Sequence, residues 1–214
     1  MKAIKIVISI TVPFFLIILF ASLLTTKPYL MFSKGKYQSH THIVEEHDYG
    51  VERIIGYLNY RYDNLYFKGD PNDIDYLLDY ESIDHMVDVK DVYTYLRLSA
   101  LGCLIVGVSL SLLLYKKDRK ELYKTFKFIY VGPALFVSFV GGYILIDFTA
   151  AFTAFHGIFF PQGGWTLDYD SFLIRLLPTA FWMVSGIIIL VLFSLSMGLI
   201  YILNEKFLKK HTLN

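Results

Sequence analysis

The chain has 214 residues, 55% of them hydrophobic and 17% aromatic, with a formal net charge of +1 and a mean hydropathy of +0.49. That apolar content exceeds what a soluble domain of this length can bury, and it falls in blocks, which puts the chain in the membrane class. The near-zero net charge says nothing about partners, and the single cysteine, Cys103, excludes a disulfide framework within the chain.

The first block runs from Ile6 to Leu24 without a charge, between Lys2 and Lys5 and Lys27. It reads as a first transmembrane helix. No small-x-small cleavage site follows Phe20, so an uncleaved anchor is favoured over a signal peptide. Residues 28–95 follow as a segment too long for a bare loop. Within it, Val51, Ile54, Ile55 and Leu58 have helical spacing, "KGDPND" (68–73) is a break, and "DIDYLLDY" (73–80) suggests another turn of helix. Ser82 is a candidate cap for a further helix, with Asp84 in its first turn. No breaker precedes Gly102, so this helix should run straight into the second block, Leu98 to Tyr115. The third block spans Phe128 to Phe148, with Asp147 at its far end, and the fourth spans Thr179 to Leu203. Each is about long enough to cross ~30 Å of hydrocarbon at 1.5 Å per residue.

Orientation follows from the flanks. The connection "KKDRKELYKTFK" (116–127) holds six basic and two acidic residues, and Lys206, Lys209 and Lys210 lie beyond the fourth block. The 149–178 connection has only Arg175, and residues 25–97 carry 13 acidic against 8 basic side chains. The positive-inside rule puts both termini and 116–127 in the cytoplasm and the two longer connections outside. The predicted fold is therefore an all-α integral membrane protein, with four transmembrane helices and a small, mainly helical extracytoplasmic cap. Its parts are 1–27 (first span), 28–95 (cap) and 96–214 (spans two to four, with an outer segment near 149–178).

Histidines are the main carriers of chemistry. His40, His42 and His47 sit in "SHTHIVEEHDYG", where H-x-H raises a metal site; no HExxH and no cysteine ligand supports it, so solvated or capping roles are expected. His211 lies in the basic tail. In "ESIDHMVDVK" (81–90), Glu81 stands four residues before His85 and Asp88 three after it. On a helix both carboxylates can approach the ring, orient it and raise its basicity. The plain alternative is a surface histidine on an acidic helix. His156, nine residues after Asp147, lies in "FTAFHGIFF" (152–160), and Trp165 follows. Gly157, Pro161, Gly163 and Gly164 argue against a long helix there, so the segment reads as re-entrant or interfacial. An ionisable group at that depth is a functional candidate, against a plain backbone-bonded histidine. Cys103 lies 18 residues beyond His85, or ~27 Å along a continuous helix, and reads as structural. No G-x-S-x-G elbow is present.

Taken together, "ESIDHMVDVK" before the second span, "FTAFHGIFF" with Trp165, and "DSFLIRLLPTAFW" (170–182) resemble the lipoprotein intramolecular transacylase (Lit) family. The likeness covers nearly the whole chain in layout and is sharpest at 81–91 and 152–182. It implies a multi-pass enzyme of the bacterial cell membrane, with its active site on the extracytoplasmic side, acting on diacylglyceryl-modified lipoproteins among membrane lipid. The sn-2 acyl chain would move from glycerol to the α-amino group of the same cysteine, giving a lyso-form lipoprotein. The two essential histidines of the family are matched by His85 and His156. His85 is expected as the base, with Glu81 or Asp88 as orienter and Asp147 in support. His156 would polarise the ester carbonyl or protonate the departing oxygen, and the two roles could be exchanged. No metal or other cofactor is implied. The competing readings are a metal-dependent membrane hydrolase using His40, His42, His85 and His156, and a non-enzymatic membrane partner protein.

Overall fold

A computed structural model describes residues 1–31, 44–68 and 76–209, without the side chains of 44–46. His40, His42 and His211 lie outside these described residues. The helices are α1 (Lys2–Leu24), α2 (Val44–Leu58), α3 (Tyr80–Lys117), α4 (Arg119–Phe128), α5 (Val131–Ile146), α6 (Phe148–Phe159), α7 (Phe172–Leu176) and α8 (Thr179–Leu203), with a π-helical turn over Asn204–Leu208. Among the described residues there is no strand. Among the described residues four stretches are long and apolar enough to cross a membrane: Lys2–Leu24, Tyr80–Lys117, Arg119–Ile146 and Thr179–Leu208.

The helix starts follow local chemistry, and two differ from the sequence expectation. α3 is capped by Asp79, whose Oδ1 accepts from the Ser82 amide at 2.6 Å, so the helix begins two residues before Ser82. Residues 76–79 are not helical; the Leu77 amide bonds the Phe67 carbonyl at 2.9 Å instead, and 73–75 lie outside the described residues. α3 then runs unbroken for 38 residues, as the absence of breakers predicts. Its first 18 residues, Tyr80 to Arg97, carry six charged side chains, whereas Leu98 to Tyr115 carries none, so only the second half is membrane-crossing in character. Most of the 116–127 connection is itself helical, as α4, and Ile129 and Tyr130 separate it from α5, which lies within the third apolar block. Asp118 caps α4 through the Glu121 amide at 3.0 Å. Pro133 is tolerated in the first turn of α5, where its missing N–H has no intrahelical partner. α8 has the bounds expected from its apolar run.

The chain forms two compact units. One comprises Met1–Ala21, Leu96–Asp147 and Ile187–Asn214. Its packed centre is Ile8, Leu114, Leu122, Ile129, Phe193 and Met197. Lys5 Nζ and Lys124 Nζ both bind Glu121, at 2.6 and 2.8 Å, and Tyr123 donates to Glu205 at 2.7 Å.

The other unit comprises Ser22–Tyr95 and Phe148–Gly186. Its core gathers Val51, Ile54, Ile55 and Leu58 of α2 with Ile83 and Met86 of α3 and Phe172, Leu173 and Leu176 of α7. The α2 stripe extends back one turn to His47, which is fully buried, its Nδ1 3.3 Å from Asp48 Oδ1. The solvated or capping role expected for His47 is thus corrected: at i−4 from Val51 it falls on the same apolar face. α2 and α7 pack closely at Gly50, where an added Cβ would stand 2.7 Å from the Phe172 ring. α2 ends with Tyr60 in the left-handed region (φ 60), a conformation usually left to glycine. Its hydroxyl bonds Thr94 at 2.8 Å and its ring faces the Lys90 ammonium at 4.3 Å, which offsets the strain.

Candidate active site

His85 lies in the second turn of α3, in the charged half that precedes the crossing stretch. Ser82, His85, Met86 and Val89 follow the i, i+3, i+4, i+7 pattern, and the first three are buried. His85 therefore faces the core of its unit, while Glu81 and Asp84 are exposed. No hydrogen bond joins His85 to Glu81 or Asp88, and its Nδ1 is buried with no hydrogen-bond partner. Burial, and next the neighbouring His156, hold its pKa down at about 4; the Asp88 charge pulls the other way and loses. The raised basicity expected from flanking carboxylates is therefore corrected. Sequence spacing places the carboxylates near, but desolvation is the larger effect.

His156 comes from α6. Gly157 does not interrupt this helix; Pro161 and the left-handed Gly163 and Gly164 (φ 85 and 79) follow its end. The His156 ring is 7% exposed. Its Nδ1–H donates to the Phe152 carbonyl at 2.8 Å, one turn back. A carbonyl only accepts, so that bond fixes the tautomer and leaves Nε2 with the lone pair. Burial lowers the His156 pKa, opposed by this backbone bond.

The two imidazoles share one aromatic setting, with ring centroids 6.0 Å apart. Phe160 stands against both, at 5.0 Å from His85 and 5.6 Å from His156. Phe152 lies 4.1 Å and Trp165 4.8 Å from His156. The rings are not hydrogen-bonded to one another; their spacing suits a polar group held between them rather than a direct bond. One lone pair and one neutral ring that resists protonation, in a water-poor aromatic setting, can move a proton between two atoms of a bound molecule. Asp147 lies at the end of α5, its N–H bonding the Tyr143 carbonyl, and belongs to the other unit. Among the described residues no group of three or more His, Cys, Asp or Glu side chains is arranged to hold a metal ion.

A sequence model of the family described as "Lipoprotein intramolecular transacylase Lit" matches residues 4–182. The chain belongs to the Lit family. Its fold is similar to that of the membrane-integral lipoprotein intramolecular transacylase Lit from Bacillus cereus, with a TM-score of 0.81 and 21% sequence identity over 100% of this chain and 98% of that one. A histidine-to-alanine variant of the Bacillus cereus protein gives a TM-score of 0.75 at 20% identity, over 100% of this chain and 96% of that one. A histidine-to-arginine variant gives 0.73 at 21% identity, over 99% and 93%. No curated protein sequence matches. The protein is a multi-pass membrane acyltransferase of the Lit type, acting on lipoproteins.

Three contributors to the site are absent from the sequence reading: the Phe152 carbonyl, the Phe160 ring and Gln162. Gln162 Nε2 donates to Asp88 Oδ2 at 2.7 Å. The signal for Phe160 and Gln162 was the run "FPQGG" (160–164), a turn that folds back on the helix bearing His156.

Proposed function

We propose that this Lit protein moves the sn-2 acyl chain of a diacylglyceryl-cysteine lipoprotein onto the α-amino group of that same cysteine, with His156 and His85 as the catalytic pair. The amine nitrogen attacks the ester carbonyl carbon, a C–N bond forms and the carbonyl oxygen becomes an oxyanion. His156 Nε2 takes a proton from the attacking nitrogen. Collapse breaks the bond to the glycerol oxygen, which takes the proton from the His156 imidazolium. The products are an amide and a free glycerol hydroxyl, and proton count is conserved. His85 stays neutral and donates an N–H to the oxyanion. A ring with a pKa near 4 is a poor base but still a hydrogen-bond donor. This assignment exchanges the two roles expected from sequence.

The observation that carries it is the Phe152 carbonyl bond, which leaves His156 Nε2 as the acceptor. Amine and ester are tethered in one substrate, so much of the entropic cost of bringing them together is already met. The α-amino group, with a pKa near 8, is partly protonated and needs a base during attack. No acyl-enzyme is required. The clustering of basic residues at 116–127 and 206–210 supports an extracytoplasmic site, with 28–95 outside and the termini inside. No observation favours a metal-dependent hydrolase or a non-enzymatic partner. The deciding experiment is tandem mass spectrometry of a lipoprotein's N-terminal cysteine peptide from membranes with and without this protein. An N-acyl, S-monoacylglyceryl product only where the protein is present supports the reading; an unchanged diacylglyceryl peptide sinks it.

A further inference from the structure

The turn after α6 is built to return. The Phe160 amide bonds the His156 carbonyl at 2.7 Å and the Gly163 amide bonds the Phe160 carbonyl at 3.1 Å, which closes a tight turn over Phe160, Pro161, Gln162 and Gly163. Pro161 presets the second position of that turn. Gly163 and Gly164 then both adopt left-handed φ, and the chain doubles back to set Trp165 against the His156 ring. One short segment thus supplies two aromatic walls of the histidine pair. It belongs to the same unit as the first half of α3, and a side-chain hydrogen bond ties the two: Gln162 to Asp88, one turn beyond His85. The bond is charge-assisted and at the surface, while the rings it fastens are buried or half-buried.

We propose that the Gln162–Asp88 bond is a latch that holds the 160–165 turn over the histidine pair, so that the acyl group passes to the amine and not to water. Gln162 and Asp88 are positioning residues in this scheme, acting through Phe160 and Trp165. The inference rests on the transacylase reading above. Its chemistry is specific. The tetrahedral step accepts any nucleophile that reaches the carbonyl carbon, and water is present at the membrane surface. With amine as nucleophile the products are an amide and a glycerol hydroxyl. With water they are a free fatty acid and the same hydroxyl, with the amine left unmodified. An opened turn would admit water without removing either histidine. It would therefore change which product forms more than it changes whether the ester is cleaved.

The test uses the purified full chain in lipid vesicles with a synthetic S-diacylglyceryl-cysteinyl peptide, scoring N-acyl peptide against released fatty acid. Gln162→Ala and Gln162→Glu should each raise the fatty-acid share about fivefold or more, the scale of one charge-assisted hydrogen bond. Combining Asp88→Asn with Gln162→Glu exchanges donor and acceptor at constant charge, and should return the share to within about twofold of wild type, because side chains in contact are coupled and the double exchange restores their bond. In a Trp182→Phe background, fluorescence reports Trp165 alone among the tryptophans, and Gln162→Ala should shift it toward the solvent-exposed value. An unchanged product ratio in Gln162→Ala, an unshifted Trp165 signal, or a double exchange as leaky as the single variants overturns the latch while leaving the transacylase reading intact. A wild-type protein that releases fatty acid but never forms the amide overturns the reading, and the latch with it.

Discussion

Helices α2 and α5 are nearly equal in length, 15 and 16 residues, yet they are packed by different rules. α2 buries Val51, Ile54, Ile55 and Leu58 against α3 and α7, and keeps Glu52 at its surface in an ion pair at 2.9 Å with Arg61, just beyond its end. α5 buries none of its side chains, and Leu145 and Ile146 are 77% and 88% exposed. In water the second pattern would be a large exposed apolar surface. In a bilayer it is ordinary, because lipid tails are as apolar as leucine and nothing is gained by hiding one from the other. What distinguishes the two units is therefore where protein packing, and not lipid, sets side-chain positions. Both catalytic candidates lie in the unit that packs as a water-facing protein does. A site that must hold two rings in fixed geometry needs neighbours that do not flow.

The strongest way to break this contrast is to remove the rings. His85→Ala and His156→Ala should each leave acyl transfer at about 1% or less, since one oxyanion donor contributes about 10²–10³-fold and general acid–base assistance about 10²–10⁴-fold. The double variant should be little worse than the worse single one, because residues acting as a unit on one transition state are not additive. The readout is acyl position on the N-terminal cysteine peptide at matched protein amounts. If His156→Ala transfers at near wild-type rate, the base is elsewhere and the tautomer argument is wrong.

The pH dependence sharpens the contrast. His85, depressed to about 4, faces His156, Phe160 and the Asp88 charge. A histidine with a lowered folded-state pKa contributes stability above its unfolded value near 6.5. That stability is lost as pH falls from there toward 4, because the unfolded chain takes up the proton first. Thermal stability should fall over that window, and less steeply in His85→Phe. Transfer, by contrast, should rise with pH to about 8, following the substrate amine rather than either histidine. A loss of thermal stability on acidification that is as steep in His85→Phe as in the wild type would contradict the depressed value.

Much of this was readable from the chain. The four apolar blocks, the unbroken α3 and the α2 stripe follow from composition and period, signals that survive in any surroundings. The matching of His85 and His156 came from motifs rather than spacing. The tautomer of His156 was not readable, because a backbone carbonyl leaves no mark in the sequence. The neighbours of His85 were misjudged for a related reason: Glu81 and Asp88 are close along the helix, but only the fold decides which face is desolvated. Ser82 looked like a cap until the chain before it chose Asp79. His47 looked polar until Val51, Ile54, Ile55 and Leu58 on the same face carried it inside.

Glycine-to-alanine changes test the packing contrast directly with one methyl group. At Gly50 the new Cβ would meet the buried Phe172 ring at 2.7 Å, and Gly50→Ala should destabilise by about 1–3 kcal/mol, typical of overpacking. At Gly102, in the crossing half of α3, and at Gly142 in α5, a Cβ meets nothing within 4 Å. Gly102→Ala and Gly142→Ala should be neutral or slightly stabilising, by up to about 1 kcal/mol of helix propensity. Thermal unfolding in detergent reads all three. A loss at Gly102 or Gly142 as large as that at Gly50 would erase the distinction drawn between the units.

The smallest effect expected is at Cys103. Its thiol is the chain's only one and lies in the uncharged half of α3, 18 residues beyond His85 on the same helix. It is partly exposed and in no disulfide. A mechanism through an acyl-thioester would need this sulfur beside a base and within reach of the ester. Direct transfer needs neither, since the nucleophile is the substrate's own amine. Cys103→Ser should therefore keep transfer within about twofold of wild type, the range of a half-buried change that touches no reacting atom. The rate should be measured on equal amounts of inserted protein, with thermal stability as the control. A Cys103→Ser variant that is stable yet inactive would put an acyl-enzyme on the path, and the histidine pair would then have to be reread as serving a thiolate.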